Sequence, residues 1–234
     1  MLYISTSFRT FAASSIPTFP HAQSATFPHD IPDMKNSPRL LSWLLHPIIL
    51  PALFAVLLLN GDYYINNFLR PEAVRIIMLV VLIFTLAIPA LIFVASRYLG
   101  VIESLEMEIK QERIFAVTVI GISSWFCWRI LSNYDLPAYY TDFLLLIFTA
   151  SAFGLIVSFF RKFSLHIFGW SVIAVAIAWY IYSWQCFSVL YLALAVALSG
   201  VVAWSRLKLN AHTPGEIYLG FGLGLLPVVV LVIL

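Results

Sequence analysis

Seven runs of about 20 mostly apolar residues leave this chain few ways to fold. They lie near 41–60, 75–96, 114–132, 142–160, 166–184, 186–204 and 215–234. An α-helix rises about 1.5 Å per residue, so about 20 apolar residues cross the roughly 30 Å hydrocarbon layer of a bilayer. The reading this imposes is all-α: a polytopic transmembrane helix bundle of six or seven spans over residues 41–234. The third run is the weakest, because Ser123, Ser124 and Cys127 dilute it and Arg129 stands near its end. Composition agrees, with 62% hydrophobic and 10% charged residues, where soluble domains have about 45–50% and about 25%. Tyr63, Tyr64, Tyr139, Tyr140, Trp179, Trp184 and Trp204 mark the run edges, where amphipathic rings favour the membrane–water boundary.

Residues 1–40 differ. Pro17, Pro20, Pro28 and Pro32 are spaced to block helices among many Ser and Thr, without the apolar core of a secretory signal. A disordered tail is expected there, with Met34 as an alternative start. A net charge of +2 and the lack of a basic run interleaved with aromatics argue against a nucleic-acid partner. Cys127 and Cys186 lie in apolar stretches without metal-ligand spacing and read as small buried hydrophobes.

Seven crossings would put the N-terminus and the connections after the second, fourth and sixth runs on one face. Of 13 Lys and Arg, ten fall on that face and three on the other. Positive-inside reasoning makes the first face cytoplasmic. Six of the ten, Lys110, Arg113, Arg161, Lys162, Arg206 and Lys208, are also candidate anion ligands. Cations kept for chemistry are poor markers of topology, so sidedness stays open.

Two segments on that face carry the chemistry. "WSRLKLNAHTPGE", residues 204–216, has Arg206, Lys208, His212 and Glu216 before the last apolar run. Thr213, Pro214 and Glu216 form a capping-box pattern, an ordinary way to start a helix. Glu216 is also four residues from His212, within reach of an imidazole nitrogen. "FFRKFSLHIFGW", residues 159–170, sets Arg161, Lys162, Ser164 and His166 at another helix start. A single such segment is a positive turn with an interfacial histidine. Two on one face suit an anion: guanidinium forks, hydroxyls and helix N-termini hold phosphoryl oxygens. One imidazole can attack phosphorus while another protonates the departing oxygen. His46, before Pro47, reads as an interfacial histidine. "EMEIKQER" reads as a solvated face, with Arg113 its one residue near the site. In "GFGLG", Gly220 and Gly224 suit close helix approach better than nucleotide binding, since no strand precedes them.

At these residues the chain resembles the type 2 phosphatidic acid phosphatase (PAP2) superfamily. That family's third motif is Ser-Arg, five residues, His, three residues, Asp; Ser205, Arg206, His212 and Glu216 match its spacing, with Glu for Asp. The second motif, Pro-Ser-Gly-His, is represented by Ser164 and His166 without its Pro and Gly. The first, Lys, six residues, Arg-Pro, is absent, and Lys110 and Arg113 of "KQERIF" are the nearest substitute. "LLHPIILP" is similar to the opening of a short, divergent bacterial branch. The resemblance implies a PAP2-like core in a bacterial inner (cytoplasmic) membrane, hydrolysing a lipid phosphate or pyrophosphate monoester without metal or other cofactor. His212 would be the nucleophile forming a phosphohistidine, Glu216 would orient its far nitrogen, and His166 would be the general acid. Arg206, Ser205, Ser164, Lys162, Arg113 and Lys110 would hold phosphoryl oxygens. Two other classes stay open, a non-catalytic protein of this fold and a small transporter. A transporter is expected to carry ionisable residues or broken helices near mid-bilayer, whereas these charges cluster at helix ends.

Overall fold

The computed structural model describes residues 37–61, 67–104, 107, 109–134 and 136–233, all within one compact unit, Lys35–Leu234. The expected tail lies outside the described residues up to position 36. From Ser37 the chain is already helical, so the bundle begins before the apolar run does.

Each apolar run is helical, and three are interrupted, the last of them by a turn at Leu226 and Pro227. The first comprises α1 (Ser37–Leu44), a 3-10 turn (Pro47–Ile49) and α2 (Leu50–Asn60). Proline disfavours the helical conformation in the residue before it, and His46 is extended there, its Nδ1 accepting the Ile48 N–H at 3.3 Å. The second comprises α3 (Pro71–Leu82), a π turn (Ile83–Ala87) and α4 (Ile88–Tyr98). Pro89 lacks the N–H that would continue the ladder, and the π turn ends just before it. Then follow α5 (Lys110–Leu131), α6 (Asp142–Ser158), α7 (Leu165–Trp184), α8 (Val189–Lys208), α9 (Pro214–Leu225) and α10 (Val228–Ile233).

Six helical segments are long and apolar enough to span a membrane, and α6, with 17 residues, is the shorter seventh. The protein is thus a multi-pass, all-α membrane bundle. The fourth run falls short, not the diluted third. At about 1.5 Å per residue, α6 reaches about 26 Å. In α5, Arg129 sits in the last turn, where a cation meets the negative end of the helix dipole and can snorkel toward water.

The bundle is organised around α7, 67% of whose apolar window is buried, against 28–39% in the other spans. Its partner α9 comes very close. A Cβ on Gly220 would stand 2.8 Å from the Ser164 carbonyl oxygen, and one on Gly224 would stand 2.6 Å from Ser171 Cβ. Ser171 Oγ also donates to the Phe221 carbonyl at 2.7 Å. This approach brings the starts of α7 and α9, with their two histidine segments, side by side.

The opposite end is an aromatic plug. Tyr180 Oη donates to the Tyr139 carbonyl at 2.6 Å, and Tyr139 Oη to the Leu58 carbonyl at 3.4 Å. Phe54 packs on Phe143, Tyr180 and Phe187. Cys186 donates to the Tyr180 carbonyl, and burial pushes its thiol up to about 11.

Candidate functional site

The site is assembled from the last turn of α8, the starts of α5, α7 and α9, and α1. Thr213 Oγ1 accepts the Glu216 N–H at 3.3 Å, while Glu216 Oε2 accepts the Thr213 N–H at 3.2 Å. That capping box fixes the carboxylate. The same Oε2 lies 2.9 Å from His212 Nδ1 and 3.8 Å from Lys162 Nζ. The structural and the chemical readings of Glu216 therefore hold together, because one oxygen serves both.

A carboxylate can only accept, so Nδ1 of neutral His212 carries the proton and Nε2 presents its lone pair. Burial holds the His212 imidazole below the ordinary histidine range; Arg206 and Lys162 act in the same direction, against the Glu216 hydrogen bond. A neutral imidazole at pH 7, oriented by a carboxylate, is a competent nucleophile.

Arg206 is inside α8, not in the loop that follows, and is fully buried. Its Nη1 donates to Ser42 Oγ at 3.0 Å, and Ser42 Oγ stands 3.4 Å from His166 Nε2. Guanidinium has no acceptor, so the serine oxygen receives its proton; the serine hydroxyl can donate to a neutral His166, and its second lone pair can accept from a protonated one. His166, in the first turn of α7, is also buried, and His46 meets it edge-on at 5.0 Å between ring centroids. His166, Arg206 and His212 lie within electrostatic reach of one another. Two imidazoles, a guanidinium and a carboxylate share one end of the bundle.

The remaining candidates divide. Lys162 Nζ donates to the Ala211 carbonyl at 3.3 Å, bridging the two histidine segments. Ser164 donates its backbone N–H to the Glu216 carbonyl at 3.1 Å, while its buried Oγ has no hydrogen-bond partner among the described residues. Arg113 is buried within electrostatic reach of Glu216. Lys110 is exposed at the rim, 6.0 Å from the Phe159 ring centroid. Ser205 turns elsewhere: its Oγ donates to the Pro38 carbonyl at 2.6 Å, clipping α1 to α8. Its proton is committed to the fold, and of the Ser-Arg pair only Arg206 joins the cluster.

Ser42 and the cluster role of His46 escaped the sequence. The one signal was the His46-Pro47 pair, which marks a helix break and not what faces it. Nearby, Glu112 accepts the backbone N–H groups of Glu103 and Ser104, pinning the connection before α5. Among the described residues no three His, Cys, Asp or Glu side chains gather as a metal site would require. Two cavities, of about 220 and about 80 Å³, share His46, Ile48, Phe93 and His166 in their walls. No family model, curated protein or solved structure matches the chain.

Proposed function

We propose that this protein is a metal-independent phosphatase of a bacterial inner membrane, acting on a lipid phosphate or pyrophosphate monoester through a phosphohistidine, as its likeness to the PAP2 superfamily implies. The observation that carries the reading is the convergence of His166, Arg206 and the His212–Glu216 pair at one end of a membrane bundle. Nε2 of His212 attacks phosphorus as the bond to the leaving oxygen breaks, and the His166 imidazolium gives that oxygen its proton. Glu216 stabilises the charge that develops on His212. Arg206, with Lys162 and Arg113 around it, neutralises the phosphoryl oxygens most strongly in the transition state. Water then attacks the phosphohistidine, His166 takes a proton from it, and inorganic phosphate leaves as His212 is restored. Every proton has a named donor and acceptor, and no step needs a metal.

The test is phosphate release from lipid phosphates by the purified protein, alongside His212→Ala and His166→Ala. The reading requires turnover by the wild type and its loss in both variants. Equal release by all three would end it, and so would a wild type inert toward every lipid phosphate and pyrophosphate tried.

A further inference from the structure

The larger of the two cavities lies beside the first helix break, whose 3-10 turn Pro47–Ile49 touches the π turn Ile83–Ala87. Irregular turns inside helices concentrate at functional sites. About 220 Å³ is left between α1, the 3-10 turn and α4. Trp43, Ile49 and Val94 form its lip and are 62%, 36% and 58% exposed. They stand on two segments long and apolar enough to span a membrane, where exposed apolar side chains face lipid, so the mouth opens sideways. Ala90 and Phe93 line the wall, and only Ser42, His46 and His166 at the inner end are polar. Ser42 in turn accepts from the buried Arg206.

We propose that this cavity seats one hydrocarbon chain of an anionic amphiphile, making the site selective for single-chain phosphates over two-chain ones. The inference rests on reading the His166 end as an anion site. Water needs two to four polar partners, and away from Ser42, His46 and His166 the lining is apolar side chains and Trp43. An apolar cavity of about 150 Å³ holds benzene, so about 220 Å³ takes about nine carbons. That fills with the first part of one chain, the remainder trailing through the lip into the bilayer. A second chain attached to the same head has no room beside it. The neighbouring cavity, which shares Ile48 and Phe93 in its wall, has only about 80 Å³. The guanidinium behind Ser42 sets the sign of the head.

The probe is dodecyl phosphonate bearing a diazirine on its chain, a non-hydrolysable single-chain anion, photolysed with the full-length protein in nanodiscs. Adducts competed by excess dodecyl phosphate are expected within 43–49 and 90–94, and phosphatidic acid at equal concentration should compete about tenfold less well. Ala90→Trp, which fills the wall, should lower the competed adducts about tenfold. Val94→Trp, at the exposed lip, is the second variant and should act in the same direction without burdening the core. Adducts spread evenly over the lipid-facing helices, undiminished in both variants, or displaced equally by the two-chain lipid would overturn the proposal. Phosphate release is scored separately. Competed adducts in the cavity without turnover retain the chain seat and remove the phosphatase reading, and turnover with a scattered adduct pattern does the reverse.

Discussion

The two ends of this bundle bury polar side chains in opposite ways. At the aromatic end the hydroxyls and the thiol are spent on main-chain carbonyls: Tyr180 on Tyr139, Tyr139 on Leu58, Cys186 on Tyr180. At the histidine end a set of polar side chains bonds to one another, Arg206 to Ser42, Ser42 to His166, His212 to Glu216. A side chain that satisfies a carbonyl closes a gap in the backbone and is finished. A network of side chains keeps lone pairs, protons and charge in play, and each member tunes the next. The first arrangement holds helices together. The second can do chemistry, and it costs stability elsewhere to maintain.

On the proposed reading, the sharpest break between the ends is catalytic. His212→Ala and His166→Ala should each lower phosphate release by about 10⁴-fold, the scale of losing a nucleophile or a proton donor. Their thermal midpoints in detergent should stay close to wild type. A loss of folding together with activity would make the histidines structural and dissolve the contrast.

Glu216 belongs to both categories, so the isosteric Glu216→Gln separates them. The amide oxygen still accepts from Thr213, and the cap survives. The negative charge opposite His212 Nδ1 is gone. Turnover should fall about 10- to 100-fold. The pH profile adds a sign. Attack requires neutral His212, so rate rises with pH through its titration, which burial already holds below the ordinary histidine range. Glu216 opposes that shift, so its neutralisation should move the acidic limb to still lower pH. An unmoved or raised limb would mean that the limb does not report His212.

How much of this could be read beforehand depends on range. The apolar runs settle the helices, and the four-residue step from His212 to Glu216 is local enough to give a contact. Ser42 is different. Its place beside Arg206 depends on α1 docking against α8, through a bond between residues 167 apart, Ser205 to Pro38. No local pattern encodes which helix lies next to which. Arg206 was legible as a candidate, yet its position inside a helix was not, because an arginine near a run's end resembles the loop beyond it. The short span was misplaced for a related reason. Polar residues dilute α5 without shortening it, since Ser123, Ser124 and Cys127 all turn into the bundle.

The two serines make a smaller test of the same division. Ser42→Ala should lower turnover about tenfold and be rescued by Ser42→Thr, because the hydroxyl between Arg206 and His166 is what matters. Ser205→Ala should leave turnover per folded molecule unchanged and cost about 1 kcal/mol of stability. Exchanged outcomes would put Ser205 in the site and Ser42 in the fold.

The smallest effect is expected at the far end. Tyr180→Phe keeps the ring that packs on Phe54 and Phe187 and removes only the hydroxyl. The buried hydrogen bond to the Tyr139 carbonyl is then lost, at about 1–3 kcal/mol. The thermal midpoint should fall by a few degrees, and the kcat of the molecules that remain folded should not move, nor its pH profile. α7 runs from His166 to Tyr180, so a rigid helix could carry the disturbance from one end to the other. An unchanged pH limb in Tyr180→Phe means the ends are independent, each built from its own kind of hydrogen bond. A limb displaced as in Glu216→Gln would make α7 a coupling element, and the plug would then belong to the site.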